Sequence, residues 1–177
     1  MFLKPQYILS NKLNKSISSN VNDIAENLVT KFEIEVIKDT EFMDGIIDTL
    51  KILKNNSNNL LGIVSNNAKE AIEFALDKDG LKDYFDVVVG RPNPFDPDKI
   101  KPNPEQILKA LELLNLDKSD TNYRVHYVGD AVNDIFAAKN ARISSIGVAT
   151  GKYSMEELIK AGANICLKSF SEIIKYI

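Results

Sequence analysis

From about residue 60 onward, short apolar runs alternate with amphipathic helical patterns. Leu60 to Ser65 (LLGIVS), Asp86 to Val89 (DVVV), Val125 to Val128 (VHYV) and Ser145 to Ala149 (SIGVA) are continuous enough to predict strands buried on both faces. Between them, Ala68 to Leu76 carries Ala71, Ile72, Ala75 and Leu76 on one helical face, with Gly80 as the stop. Ile107, Leu108, Leu111 and Leu114 line a second helix, which Asn103 caps and Pro104 opens. Asp134 stands at the start of another helical segment. Ser154 and Glu157 form a capping box for a helix running to about Ala161, and Ser169 to Tyr176 reads as a short final helix. Strand alternating with helix predicts a parallel sheet covered on both sides.

Before residue 60 the pattern changes. Ile24 to Ile37 and Ile46 to Leu53 read as helices, and the first twenty residues are polar and weakly periodic. Tyr7-Ile8-Leu9 is the one strand candidate there. Asn55 to Asn59 is a loop, and five of the six prolines fall between Pro92 and Pro104, marking a long rigid loop that carries Lys101.

Composition narrows the function classes. At 177 residues, 44% hydrophobic and 27% charged, the chain has material for one real core. A net charge of -3 with interspersed signs provides no basic stripe, so no nucleic-acid partner is expected. The single Cys166 allows no internal disulfide, in keeping with a cytoplasmic location, and the lone His126 excludes His-rich metal sites. Both are expected to be packing residues, His126 also fitting the rim of a site. No apolar run approaches the ~20 residues that span a bilayer, and Met1 to Pro5 lacks the apolar segment of a signal peptide, so no membrane association is expected.

Candidate chemistry sits at the ends of the predicted strands. Gly129-Asp130 follows an apolar run, and Asp134 comes one helical turn later. Open parallel sheets bind ligands at the carboxyl ends of their strands, and Mg2+ takes one or two carboxylates together with waters and phosphate oxygens. The bland alternative makes Asp130 a helix cap and Asp134 a first-turn acid facing the helix dipole. Ser65, Asn66 and Asn67 close the first strand with a hydroxyl and free amides where a helix begins, a setting that suits phosphate. Lys101 ends the proline-rich loop just before a helix. Alone, Ser65 reads equally as a helix-start residue and Lys101 as a solvated side chain; together with the acids they read as a phosphate and metal pocket.

Leu61-Gly62-Ile63-Val64-Ser65-Asn66-Asn67, Lys101-Pro102-Asn103-Pro104, and Tyr127-Val128-Gly129-Asp130 with Asn133-Asp134 resemble the second, third and fourth motifs of the haloacid dehalogenase superfamily. Its phosphoglycolate phosphatase-like branch is the most similar. Ile146 to Gly151 and Phe42 to Ile46 are similar to segments which that branch carries after its fourth motif and where its helical cap returns to the core. The resemblance implies a three-layer α/β/α Rossmann-like parallel sheet, with residues 1–40 a cap remnant or linker and residues 41–177 the core domain. It also implies a Mg2+-dependent hydrolase of small phosphorylated metabolites: Ser65, Asn66 and Lys101 at the phosphate, Asp130 on the metal, and Asp134 orienting Lys101 or the metal waters.

The family's attacking aspartate, at the end of its first and central strand, has no counterpart here. Phe42 stands where Met43-Asp44-Gly45 would need it, and Asp44 and Asp48 read as turn and helix residues. Ile8-Leu9-Ser10-Asn11 offers Ser and Asn in place of acids. The central strand is therefore expected to lie outside these residues, leaving a slot for Tyr7 to Leu9, for direct pairing of the neighbouring strands, or for another polypeptide or self-association. Two functions stay open: a truncated or variant phosphatase inactive on its own, and a non-catalytic module that binds phosphate, metal or a protein partner.

Overall fold

The computed structural model describes residues 15–56, 58–117 and 124–176. Its chain order is α1 (Lys15–Lys38), α2 (Ile46–Asn55), β1 (Gly62–Val64), α3 (Lys69–Lys78), β2 (Val87–Val89), α4 (Glu105–Leu113), β3 (His126–Gly129), α5 (Val132–Ala141), β4 (Ser144–Val148), α6 (Met155–Ala161) and β5 (Ile165–Leu167). A 3-10 segment, Phe170–Lys175, takes the place of the predicted final helix.

The four predicted strands form at the predicted places: β1 and β2 are shorter than their apolar runs, whereas β3 and β4 keep the predicted length and are displaced by one residue. β5 was not foreseen. It has three residues, too few to show a period, and it exists by pairing with β4. All pairings are parallel: Gly62↔Val87 to Val64↔Val89, His126↔Ser144 to Gly129↔Gly147, and Ile146↔Ile165 to Val148↔Leu167. Among the described residues these make two sheets, β1-β2 and β3-β4-β5. Direct pairing of β1 with β3, one of the expected ways to fill the slot, does not occur; Tyr7 to Leu9 lie outside the described residues.

Alternation along the strands builds the three layers. Leu61, Ile63, Val88, Val128 and Ile146 pack toward α2, α3 and the 3-10 segment, with Leu50, Leu53, Ile72 and Leu76. Val64, Val125 and Tyr127 pack toward α4 and α5, with Ile107, Leu111, Ala137 and Ala141. Only β4 approaches the full burial expected of every strand; β1 and β3, the neighbours of the expected slot, are mostly half-buried.

Helix ends follow the local chemistry. Gly80 adopts φ +66 and Gly162 φ +103 just after α3 and α6, conformations that favour a residue without a Cβ. The Ser154–Glu157 capping box forms. Asn103 Oδ1 accepts the Glu105 N–H at 2.8 Å, the capping contact expected before α4. On α4 itself the buried face includes Gln106 and Ala110, whereas Leu108 is exposed. Asp44 lies in a turn and Asp48 in the first turn of α2. α1 begins earlier than predicted, because no Gly or Pro interrupts Lys15 to Lys38 and polar residues can extend a helix that tertiary contacts hold.

Candidate functional site

Three strand-to-helix connections converge on Lys101. Its ammonium lies 2.7 Å from Asp134 Oδ1, 3.0 Å from Tyr127 Oη and 3.3 Å from the Val64 carbonyl oxygen. The side chains of Lys101 and Asp134 are 13% and 9% exposed, so the ion pair is shielded from water and from salt. Burial works against the lysine charge, but Tyr127 and Asp134 outweigh it and hold Lys101 above the ordinary lysine value. Burial pushes the Tyr127 phenol up to about 12, with the Lys101 charge opposing, so the ring carries a neutral hydroxyl at neutral pH.

Asp134 is fixed from both sides. Its Oδ2 accepts the Ala131 N–H at 3.1 Å, satisfying one of the free amides at the start of α5 while Oδ1 faces Lys101. Gly129 permits this, since a Cβ there would overlap the Asp134 side chain. Asp130 behaves differently: it is exposed and makes no hydrogen bond or ion pair among the described residues. Its carboxylate lies over Gly151, where any Cβ would collide with it. The residue before α5 is Ala131, so Asp130 does not cap that helix.

Ser65 and Asn66 line the β1 end of the same cluster. Ser65 Oγ accepts the Asn67 N–H at 3.2 Å, and Asn66 Oδ1 accepts the Lys101 backbone N–H at 3.2 Å. The amides expected to be free here are partly taken. Besides Asn67 N, the Ala68 N–H at the start of α3 donates to Glu33 Oε2 at 2.9 Å, a carboxylate from α1 standing where an external anion could.

Gln106 was not singled out from the sequence, yet it joins the loops. Its buried amide nitrogen donates to the carbonyls of Ser65 (2.7 Å) and Gly90 (2.9 Å), and its oxygen accepts from Lys101 N (3.3 Å). The available signal was a polar residue one position before Ile107 and four before Ala110, on the inward face of α4. The sequence places Tyr127 in a strand and in the fourth-motif resemblance but gives it no role of its own. Arg91 also escaped notice: it reaches back to Glu26, Thr30 and Glu33 of α1, and its backbone N–H donates to Asn67 O at 2.8 Å.

His126 and Cys166 lie apart from this chemistry. His126 is half-buried on β3, and burial together with the Arg124 charge depresses its pKa. Cys166 is half-buried rather than fully packed, its thiol pushed up by burial, with Sγ 3.7 Å from the Met155 carbonyl oxygen. Among the described residues no cluster of three His, Cys, Asp or Glu could hold a metal ion, and no helix is long and apolar enough to cross a membrane.

Residues 8–148 match the model of the haloacid dehalogenase-like hydrolases. Over 130 residues the chain is 30% identical to Probable phosphatase IndB of Dickeya dadantii, an alignment spanning 73% of this chain and 53% of IndB. Over 131 residues it is 32% identical to pyrophosphatase PpaX of Listeria monocytogenes, spanning 74% and 57%. The chain thus spans little more than half the length of these curated relatives. Among solved structures, a predicted phosphatase from Clostridium acetobutylicum superposes with a TM-score of 0.72 at 26% identity, covering 92% of this chain and 70% of the other. CbbY from Rhodobacter sphaeroides, solved with xylulose-(1,5)bisphosphate, shares the fold with a TM-score of 0.67 at 24% identity, covering 86% and 65%.

Proposed function

We propose, on the premise that the chain belongs to the haloacid dehalogenase-like hydrolases, that its strand ends form the phosphate and metal half of a phosphatase site for a small phosphorylated metabolite. The observation that carries this reading is the buried Lys101–Asp134 pair, held at 2.7 Å beside the Ser65-Asn66 turn. Ser65 and Asn66 would donate to phosphoryl oxygens, Lys101 would offset their charge, and Asp134 would keep the ammonium aimed at them. These are the positioning and electrostatic groups that phosphoryl transfer requires. Phosphatase relatives and a bisphosphate-bound neighbour support a phosphate ester as the ligand class.

The residues present fit Mg2+ in one limited sense. Asp130 is a single exposed carboxylate free of protein partners among the described residues, and Gly151 leaves room beside it. Mg2+ bound there would rely on water and substrate oxygens for most of its ligands and would neutralise charge on the phosphoryl group. Asp134 is committed to Lys101 and Ala131, so it would orient rather than ligate.

In the complete reaction an aspartate oxygen would take the phosphoryl group from the ester, the departing oxygen would gain a proton, and water would then release phosphate from the aspartyl ester. Asp44 and Asp48 sit in a turn and a helix, and no strand lies between β1 and β3 among the described residues, so the nucleophile would come from elsewhere, for example from another polypeptide. In this reading residues 1–40 are cap-derived and residues 41–177 are the core. The alternative is a non-catalytic module that binds phosphate, metal or a protein partner; Glu33 and Ser65 already occupy two amides of the cradle and compete with a phosphate there, which favours the protein-interaction form of this alternative.

The test is hydrolysis of an aryl phosphate in Mg2+, alongside binding of inorganic phosphate. The chain alone should show no turnover, and phosphate binding should weaken in Lys101→Met and lose its Mg2+ dependence in Asp130→Asn. Turnover that Asp130→Asn abolishes, and that added protein does not affect, would refute the missing nucleophile. Phosphate binding indifferent to both substitutions would refute the site.

A further inference from the structure

The Lys101 ammonium has three protons, and three acceptors surround it: Asp134 Oδ1 at 2.7 Å, Tyr127 Oη at 3.0 Å and the Val64 carbonyl at 3.3 Å. An incoming phosphate oxygen must therefore displace one of them. The Val64 carbonyl is the longest contact, and the Tyr127 hydroxyl stands as a second donor nearer to it than to Asp134 Oδ1. Tyr127 Oη lies 3.1 Å from the carbonyl oxygen and 3.5 Å from Asp134 Oδ1, so the phenol proton belongs on Val64 while the phenol oxygen receives a lysine proton. Val64 ends the β1 strand, whose far edge has no partner strand among the described residues, so its carbonyl relies on these side chains.

We propose that Tyr127 is a positioning residue for Lys101: its hydroxyl fixes the direction of the ammonium, and holds the Val64 carbonyl when one lysine proton is handed to an oxyanion. The exchange leaves no orphaned acceptor, so the lysine changes partners at little cost. The neutral phenol suits the task, since a phenolate would compete with the phosphate for the ammonium and could not donate to Val64. Without the hydroxyl, moving Lys101 would strand a half-buried carbonyl on an unpaired strand edge, a loss that weakens anion binding about tenfold or more. The inference rests on the phosphate-site reading above, and its test separates the two.

The experiment uses the full chain with 15N-labelled lysine side chains, inorganic phosphate and Mg2+, comparing wild type, Tyr127→Phe and Lys101→Met. Lys101→Met identifies the Lys101 ammonium resonance and reports whether phosphate uses it. In Tyr127→Phe that resonance should shift and titrate at lower pH, with phosphate bound at least tenfold more weakly. A resonance unmoved in Tyr127→Phe overturns the inference, as does phosphate affinity equal to wild type where Lys101→Met abolishes binding. Equal binding by wild type and Lys101→Met strikes the site reading instead, and the resonance alone then decides the role of Tyr127. Should Tyr127→Phe fail to fold, 3-fluorotyrosine at that position keeps the shape and makes the hydroxyl more acidic; it must still move the Lys101 resonance, and an unmoved one overturns the inference.

Discussion

Replacing Arg91 with methionine tests what holds α1 on the core. The Arg91 side chain is 4% exposed, and those of its two acidic partners, Glu26 and Glu33, are each 17% exposed. Nε lies 2.7 Å from Glu26, Nη1 contacts Glu33, and Nη2 lies 3.1 Å from Thr30 Oγ1. In Arg91→Met, Glu33 retains the Ala68 N–H, but Glu26 loses its cation and both acids stay in a poorly hydrated place. Removing one member of such a buried cluster costs about 3–5 kcal/mol, and the residual exposure of the acids favours the lower end. For a chain of this size that corresponds to a melting temperature lowered by about 6–20 °C. Urea unfolding followed by circular dichroism measures the loss, and limited proteolysis reports whether α1 detaches before the core unfolds. The triple variant Arg91→Met, Glu26→Gln, Glu33→Gln should recover most of the stability, since uncompensated charge is the source of the penalty. A change within about 0.5 kcal/mol in Arg91→Met, the range of ordinary surface substitutions, would sink the argument, as would no recovery in the triple variant.

Gln106→Leu should cost about 1–3 kcal/mol, because the half-buried Ser65 and Gly90 carbonyls both lose the same buried donor; thermal melting checks it, and faster hydrogen exchange at the Lys101 amide should accompany it. His126 gives a pH signature: its folded pKa lies below the ordinary 6.5, so the unfolded chain binds the proton first as pH falls. Stability should be complete above that value and decline as pH drops through 6.5 toward the folded pKa, whereas His126→Gln should stay level over the same interval; urea midpoints across pH decide it.

Much of the architecture was legible because it is local. Apolar runs at Leu60 and Val125, the Ser154–Glu157 box and the glycines after α3 and α6 each carry their own geometry within a few residues. Ser65, Lys101, Asp130 and Asp134 were legible as candidates because strand ends can be placed from those runs. β5 was missed because three residues show no period without the neighbour that pairs them. Leu108 was assigned inward and lies outward, since a helical stripe defines a face only to within a residue or so and packing against β1 and β2 chose Gln106 instead.

The sequence by itself determined which side chains stand at the mouths of the strands, because alternation and capping depend on neighbours along the chain. Only the tertiary structure decided what those side chains touch. Lys101 meets Val64, Tyr127 and Asp134 across separations of 37, 26 and 33 residues, Gln106 reaches Ser65 from 41 residues away, and Glu33 reaches Ala68 from 35. A hydrogen bond acts over about 3 Å, and no periodicity in a sequence encodes which distant groups will come within it.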